Sequence, residues 1–172
     1  MKRPMTALLF AALLLPALAS ANTIDFDGEL VASTCTVTAA AKVDVKFGKL
    51  DVSALSAAGN ETGRASMPIT LTCPGAAPTG TVAVRFESPT LGDNATGNLR
   101  LTAASTAKNV QIGIDNAAGT RQIINGLPTA DSFVPITTGA VKLDYTAVYV
   151  AVGGAAGAGT AKSNATFTVA YP

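Results

Sequence analysis

Apolar side chains recur at every second position along most of this chain, in short runs separated by Gly, Pro, Asn and Asp. Ile24, Phe26, Leu30 and Ala32, with Gly28 in phase between them, alternate with Asp25, Asp27 and Glu29. Val43, Val45 and Phe47 alternate with Asp44 and Lys46 as far as Gly48. Met67, Ile69, Leu71 and Cys73 share one face opposite Thr70 and Thr72. Pro68 places the start of that strand at an edge or in its first residues, because proline cannot donate to a ladder. Further strands are expected over 81–86 (Val82, Val84 and Phe86 in phase), 99–101, 110–114, 121–124, 142–150 and 165–171. In the last, Phe167, Val169 and Tyr171 lie on one face and Thr166 and Thr168 on the other. A side-chain period of two is the signature of strands with one buried face. Only residues 50–58 read as a helical turn, and no segment holds a 3.6-residue period over three turns. Many short strands with turn residues between them predict an all-β chain folded as one β-sandwich domain.

The first residues follow a different pattern. Lys2 and Arg3 precede an apolar run over 7–15, Pro16 breaks it, and Ala19-Ser20-Ala21 supplies a small-x-small sequence. This predicts a secretory signal peptide over residues 1–21. The run is far short of the roughly 20 residues that span a bilayer. Cys35 and Cys73 are the only cysteines. In an exported protein they most simply form one disulfide, with two free thiols, or a metal pair completed by carboxylates, as the other arrangements.

Composition narrows the function. The chain has 172 residues, the length of about one domain. Charged residues are 13% of it and the formal net charge is +1, so no basic surface is available for nucleic acid or an anionic membrane. Hydrophobic residues make up 48% but aromatics only 5%, which predicts a core of small and β-branched side chains. A weakly charged surface also favours association. The chain has no His and no Trp. A His-dependent triad is therefore excluded, and oxidised cysteines would not serve as nucleophiles. Gly153-Gly154-Ala155-Ala156-Gly157 does not open a helix and reads as a hairpin loop, not a phosphate loop. Asp93-Asn94 and Asp115-Asn116 are turn chemistry with too few oxygens for calcium. The Asn-x-Thr triplets at Asn60, Asn94 and Asn164 read as chance matches in a Thr- and Asn-rich chain. The expectation is no enzyme, no cofactor and no metal.

The two ends carry what remains. The chain begins with an amphipathic strand lacking an evident partner, and its last strand holds large apolar residues on a face that needs a neighbour. An uncovered edge of this kind invites intermolecular β-pairing. Taken in order, several pieces resemble pilin subunits of the chaperone–usher pathway, of the type 1 fimbrial kind. They are the signal peptide, Ile24-x-Phe26-x-Gly28-x-Leu30 before Cys35, Phe47-Gly48-Lys49-Leu50, and the alternating strand into Cys73. Ala107-Lys108-Asn109-Val110-x-Ile112-x-Ile114 and Ala165-Thr166-Phe167-Thr168-Val169-Ala170-Tyr171 complete the set.

The resemblance implies an incomplete immunoglobulin-like sandwich lacking its last strand, with a free N-terminal donor strand. It divides the chain into a signal peptide (1–21), a donor-strand extension (22–34) and a pilin domain (35–172). The donor residues would be Ile24, Phe26, Gly28, Leu30 and Ala32, with Gly28 where a side chain would meet the groove floor. Phe167 and Val169 would line the acceptor groove, Tyr171 would belong to the segment held by the chaperone, and Cys35–Cys73 would match the family disulfide. The implied partners are identical or related pilin subunits, a periplasmic chaperone and an outer-membrane usher, and the implied destination is an extracellular fimbrium reached through the periplasm. No residue pattern identifies a host receptor. The alternatives are a minor, adaptor or adhesive pilin, or a secreted sugar-binding sandwich whose first strand pairs within its own chain.

Overall fold

The computed structural model describes residues 35–37, 42–73, 80–137 and 139–172. All of them belong to one compact unit, residues 31–172. Eight strands follow in order: β1 (Thr36–Val37), β2 (Glu61–Cys73), β3 (Thr81–Glu87), β4 (Leu99–Arg100), β5 (Val110–Asp115), β6 (Val134–Pro135), β7 (Gly139–Ala151) and β8 (Thr166–Ala170). They form a five-stranded sheet in the order β1-β2-β7-β5-β4 and a three-stranded sheet in the order β6-β3-β8, and every pair is antiparallel. The single helical turn expected near residue 50 is a 3-10 turn at Val52–Leu55, capped by the Asp51 carboxylate, which accepts from the Ser53 N–H at 2.9 Å.

The core lies between the two sheets. Ile69, Leu71, Leu143, Tyr145, Ile112 and Ile114 from the larger sheet meet Val82, Val84 and Phe86 from the smaller. The alternation read from the sequence sets these faces. Met67, Ile69, Leu71 and Cys73 are buried while Thr70 and Thr72 are exposed. Phe86 meets Tyr145 edge to face, with ring centroids 4.9 Å apart. The Tyr145 hydroxyl accepts the Val84 N–H at 3.2 Å, and burial pushes this phenol above its ordinary pKa. Cys35 and Cys73 are disulfide-bonded, tying the residue before β1 to the end of β2.

Four local expectations need revision. Residues 43–47 keep their alternation, with Val43, Val45 and Phe47 half-buried, but join no ladder among the described residues. Alternation decides which face is apolar, not whether a strand runs alongside. Residues 121–124 make only a bridge from Arg121 to Asp115. The Gln122 N–H goes to Ile114 O and the Ile124 N–H to Gly97 O, so the backbone serves two different segments and cannot lie along one strand. Pro68 lies well inside β2, opposite Asp144 of β7. Among the described residues β1 flanks β2 at Leu71 and Thr72 and not at Pro68. Finally, β2 begins at Glu61, earlier than expected, and its pairing with β7 shifts between Thr62 and Ala65. Gly63 sits in that shift at φ +72°, with Leu50 and Tyr149 packed where a side chain would be.

Candidate subunit-interaction groove

A groove of about 870 Å³ opens between the two sheets. A cavity of about 150 Å³ accommodates one benzene ring, so this volume has room for several side chains. Its floor is the apolar core: Met67 and Ile69 of β2, Phe86 of β3, Ile112 and Ile114 of β5. One wall is the unpaired segment 42–47, and the other runs from Ala161 to Phe167 into β8.

Each wall is held by local chemistry. In the first, Val43, Val45 and Phe47 turn inward, and Phe47 stacks on Tyr149 with ring centroids 4.1 Å apart. At the groove rim Lys42 pairs with Asp44 at 2.7 Å. The Lys42 hydrogen bond, and then its charge, hold the Asp44 carboxyl below its usual pKa.

Among the described residues the second wall is an edge, since β8 is the last strand of its sheet. Its backbone groups divide by position. Thr160 O accepts from the N–H groups of Thr106 and Ala107, Lys162 O accepts from the Thr102 N–H, and Asn164 O accepts from the Ser88 hydroxyl. The backbone groups of residues 160, 162 and 164 therefore point away from the groove, although the side chains of Lys162 and Asn164 help line it. In an extended chain successive residues direct their N–H and C=O to opposite sides, so Ala161, Ser163 and Ala165 direct theirs toward it.

The same division continues through β8. Val84 N–H goes to Tyr145 and Phe86 O accepts from the Asn125 N–H, so neither faces β8. Their opposite numbers, Val169 and Phe167, are thus the non-bonded partners in the β3–β8 pair. Their N–H and C=O groups fall on the open edge.

The three acceptor residues expected from the sequence are placed as follows. Phe167 lines the groove. Val169 and Tyr171 pack against the core cluster but lie outside the groove lining. The Tyr171 hydroxyl instead accepts the Cys35 N–H at 2.6 Å, joining the end of the chain to the disulfide. Ile24, Phe26, Gly28, Leu30 and Ala32 lie outside the described residues, as does the expected signal peptide. Sequence reasoning missed Ala161, Ser163 and Ala165 as groove residues. Their alternation with Lys162 and Asn164 is present, but Ala and Ser carry too little hydrophobic contrast to mark it.

The sandwich and its groove correspond to a known class. The family described as Fimbrial protein matches residues 24–172, and the chain belongs to it. It is 37% identical over 155 residues to the F17 fimbrial protein of Escherichia coli, which spans 86% of each chain. Among solved structures it is similar to the P pilus rod subunit PapA, with a TM-score of 0.63 at 25% identity over 80% of this chain and 99% of that one. A chaperone-usher pilus rod shares the fold, with a TM-score of 0.61 at 24% identity over 92% of this chain and 100% of that one. The fold is thus the immunoglobulin-like sandwich of chaperone–usher pilins. The chain is a structural fimbrial subunit, exported and assembled with other pilins into extracellular pili.

Proposed function

We propose that the groove accepts an extended strand from the next subunit, and that the strand is the N-terminal arm of that subunit, residues 22–34. This is strand addition of the kind known from chaperone–pilin complexes. The observation that carries it is the division of backbone groups along 160–169. Alternate residues are bonded on the far side, so by strand alternation Ala161, Ser163, Ala165 and Phe167 direct a row of N–H and C=O groups to the groove, and Val169 continues it along the open edge. An arriving strand satisfies that row while its apolar side chains pack on the apolar floor.

The arm has the matching pattern. Ile24, Phe26 and Leu30 supply apolar side chains at period two, and burying each contributes about 1.5–3 kcal/mol. Gly28 allows the backbone to pass close to the floor, and Ala32 continues the phase. On its other face the arm carries Asp25, Asp27 and Glu29, while the groove rim carries Lys42, already paired with Asp44, and Lys162. Exposed pairs of this kind contribute up to about 1 kcal/mol each and weaken with salt, so they orient the arm more than they hold it. By this reading a periplasmic chaperone covers the same groove before assembly, an outer-membrane usher passes subunits on, and the protein has no enzymatic activity.

Deleting residues 22–30 tests the assignment. The expected product folds, as judged by an oxidised Cys35–Cys73 pair and a β-type circular dichroism spectrum, but contributes no fibres when it is the sole subunit. A deletion that abolishes folding of the domain would make the arm an internal strand and contradict the proposal.

A further inference from the structure

Between residues 160 and 164 the back edge of the groove wall meets no ladder strand among the described residues; it runs beside the 102–107 loop, whose Thr102 N–H donates to Lys162 O at 2.8 Å and whose Thr106 and Ala107 N–H groups donate to Thr160 O at 3.0 Å. Two serine hydroxyls add to these bonds. The Ser105 hydroxyl accepts the Lys162 N–H at 2.9 Å and donates to Lys162 O at 3.1 Å, so one side chain bonds both backbone groups of Lys162, sharing the carbonyl with the Thr102 N–H. The Ser88 hydroxyl donates to Asn164 O at 3.2 Å. Ser105 is itself fixed by a turn in which its N–H donates to Thr102 O at 2.9 Å. Ser88 is buried, and its own N–H and C=O are bonded to the Asn125 side-chain amide.

We propose that Ser105 and Ser88 are positioning residues for strand capture: they complete what the loop backbone begins at Thr160 and Lys162, bonding the Lys162 N–H and Asn164 O, and so hold Ala161, Ser163 and Ala165 in the geometry an incoming strand must meet. The inference rests on the strand-capture reading above. A short edge segment bonded only at intervals on one side has little to keep it straight, because each unbonded residue regains backbone freedom. Fixing it in advance lowers the ordering cost of association and raises the capture rate.

The test uses the full chain, unpolymerised, and a labelled synthetic peptide of residues 22–34, with uptake followed by fluorescence anisotropy. Ser105→Ala is expected to slow uptake about tenfold, the effect of losing one preorganising hydrogen-bond pair, and Ser105→Thr, which keeps the hydroxyl, to restore it. The thermal midpoint of the unliganded subunit should change by less than the uptake rate implies, which separates positioning from general stability. Ser88→Ala, which removes only the Asn164 bond, should slow uptake about threefold and carries the test if Ser105→Ala does not fold. Equal uptake by the wild type and both alanine variants would overturn the positioning role and leave strand capture standing. No uptake by the wild type itself would overturn strand capture and, with it, this inference.

Discussion

Gly159 lies closer to a neighbouring backbone than any side chain permits. A Cβ there would come within 2.5 Å of the Thr106 carbonyl carbon and would also strike the Ala107 nitrogen. Main-chain atoms cannot rotate away, so the glycine is required by approach distance, not by an unusual φ. Gly159→Ala should destabilise the unpolymerised subunit by about 1–3 kcal/mol, the usual cost of overpacking, measured by urea unfolding. A change below about 0.5 kcal/mol, within the range of neutral surface substitutions, would mean that the 102–107 segment is not packed as described. Nothing in the sequence distinguishes Gly159 from Gly153 or Gly154 in the same loop. The difference arises only when a segment about fifty residues away is brought against it.

At the scale of elements, the sequence reveals faces better than partners. The alternation in 67–73, 81–86, 110–114 and 142–150 appears as β2, β3, β5 and β7, with the expected side chains inward. Each of these strands is paired on the five- or three-stranded sheet, and its apolar face is large enough to be read directly. Residues 43–47 have the same pattern and no ladder, because they flank the groove. Residues 121–124 have a similar pattern but divide their bonds between Ile114 and Gly97. The groove was half legible. Phe167 is recognisable as a large apolar residue on a terminal strand, whereas the wall at Ala161, Ser163 and Ala165 functions through its backbone, which the side chains scarcely mark. Ser88 and Ser105 were not legible at all, since a serine that bonds the backbone of a distant segment looks in sequence like any loop serine.

For the whole molecule, two properties follow from the ionisable groups. The chain has no His, so no side chain of that type titrates between about pH 5 and 8. Hydrogen bonds hold four aspartates below their ordinary pKa: Lys42 for Asp44, Ser53 for Asp51, Ala95 and Gln111 for Asp93, Thr120 and Thr129 for Asp131. Folded-state values that are lowered contribute stability above the unfolded value, and that contribution is lost as pH falls through the folded ones. Burial raises the phenols of Tyr145 and Tyr149. Their contribution is complete below the unfolded value near 10 and is lost as pH rises through the folded values. Thermal melts across pH should therefore show a plateau from about 5 to 9, with declines below about 4 and above about 10. A steep change in the neutral range would contradict this account.

The central claim is that the open edge of residues 161–169 becomes one side of an intermolecular ladder in the fibre. Amide hydrogen exchange measures this residue by residue. In assembled fibres the amides of Ala161, Ser163, Ala165, Phe167 and Val169 should exchange at least about 100-fold more slowly than in the subunit lacking residues 22–30, as newly bonded strand amides do. Those of Lys162 and Thr168, already bonded on the far side, should change much less. Equal exchange of the five groove-facing amides in fibre and subunit would contradict the account.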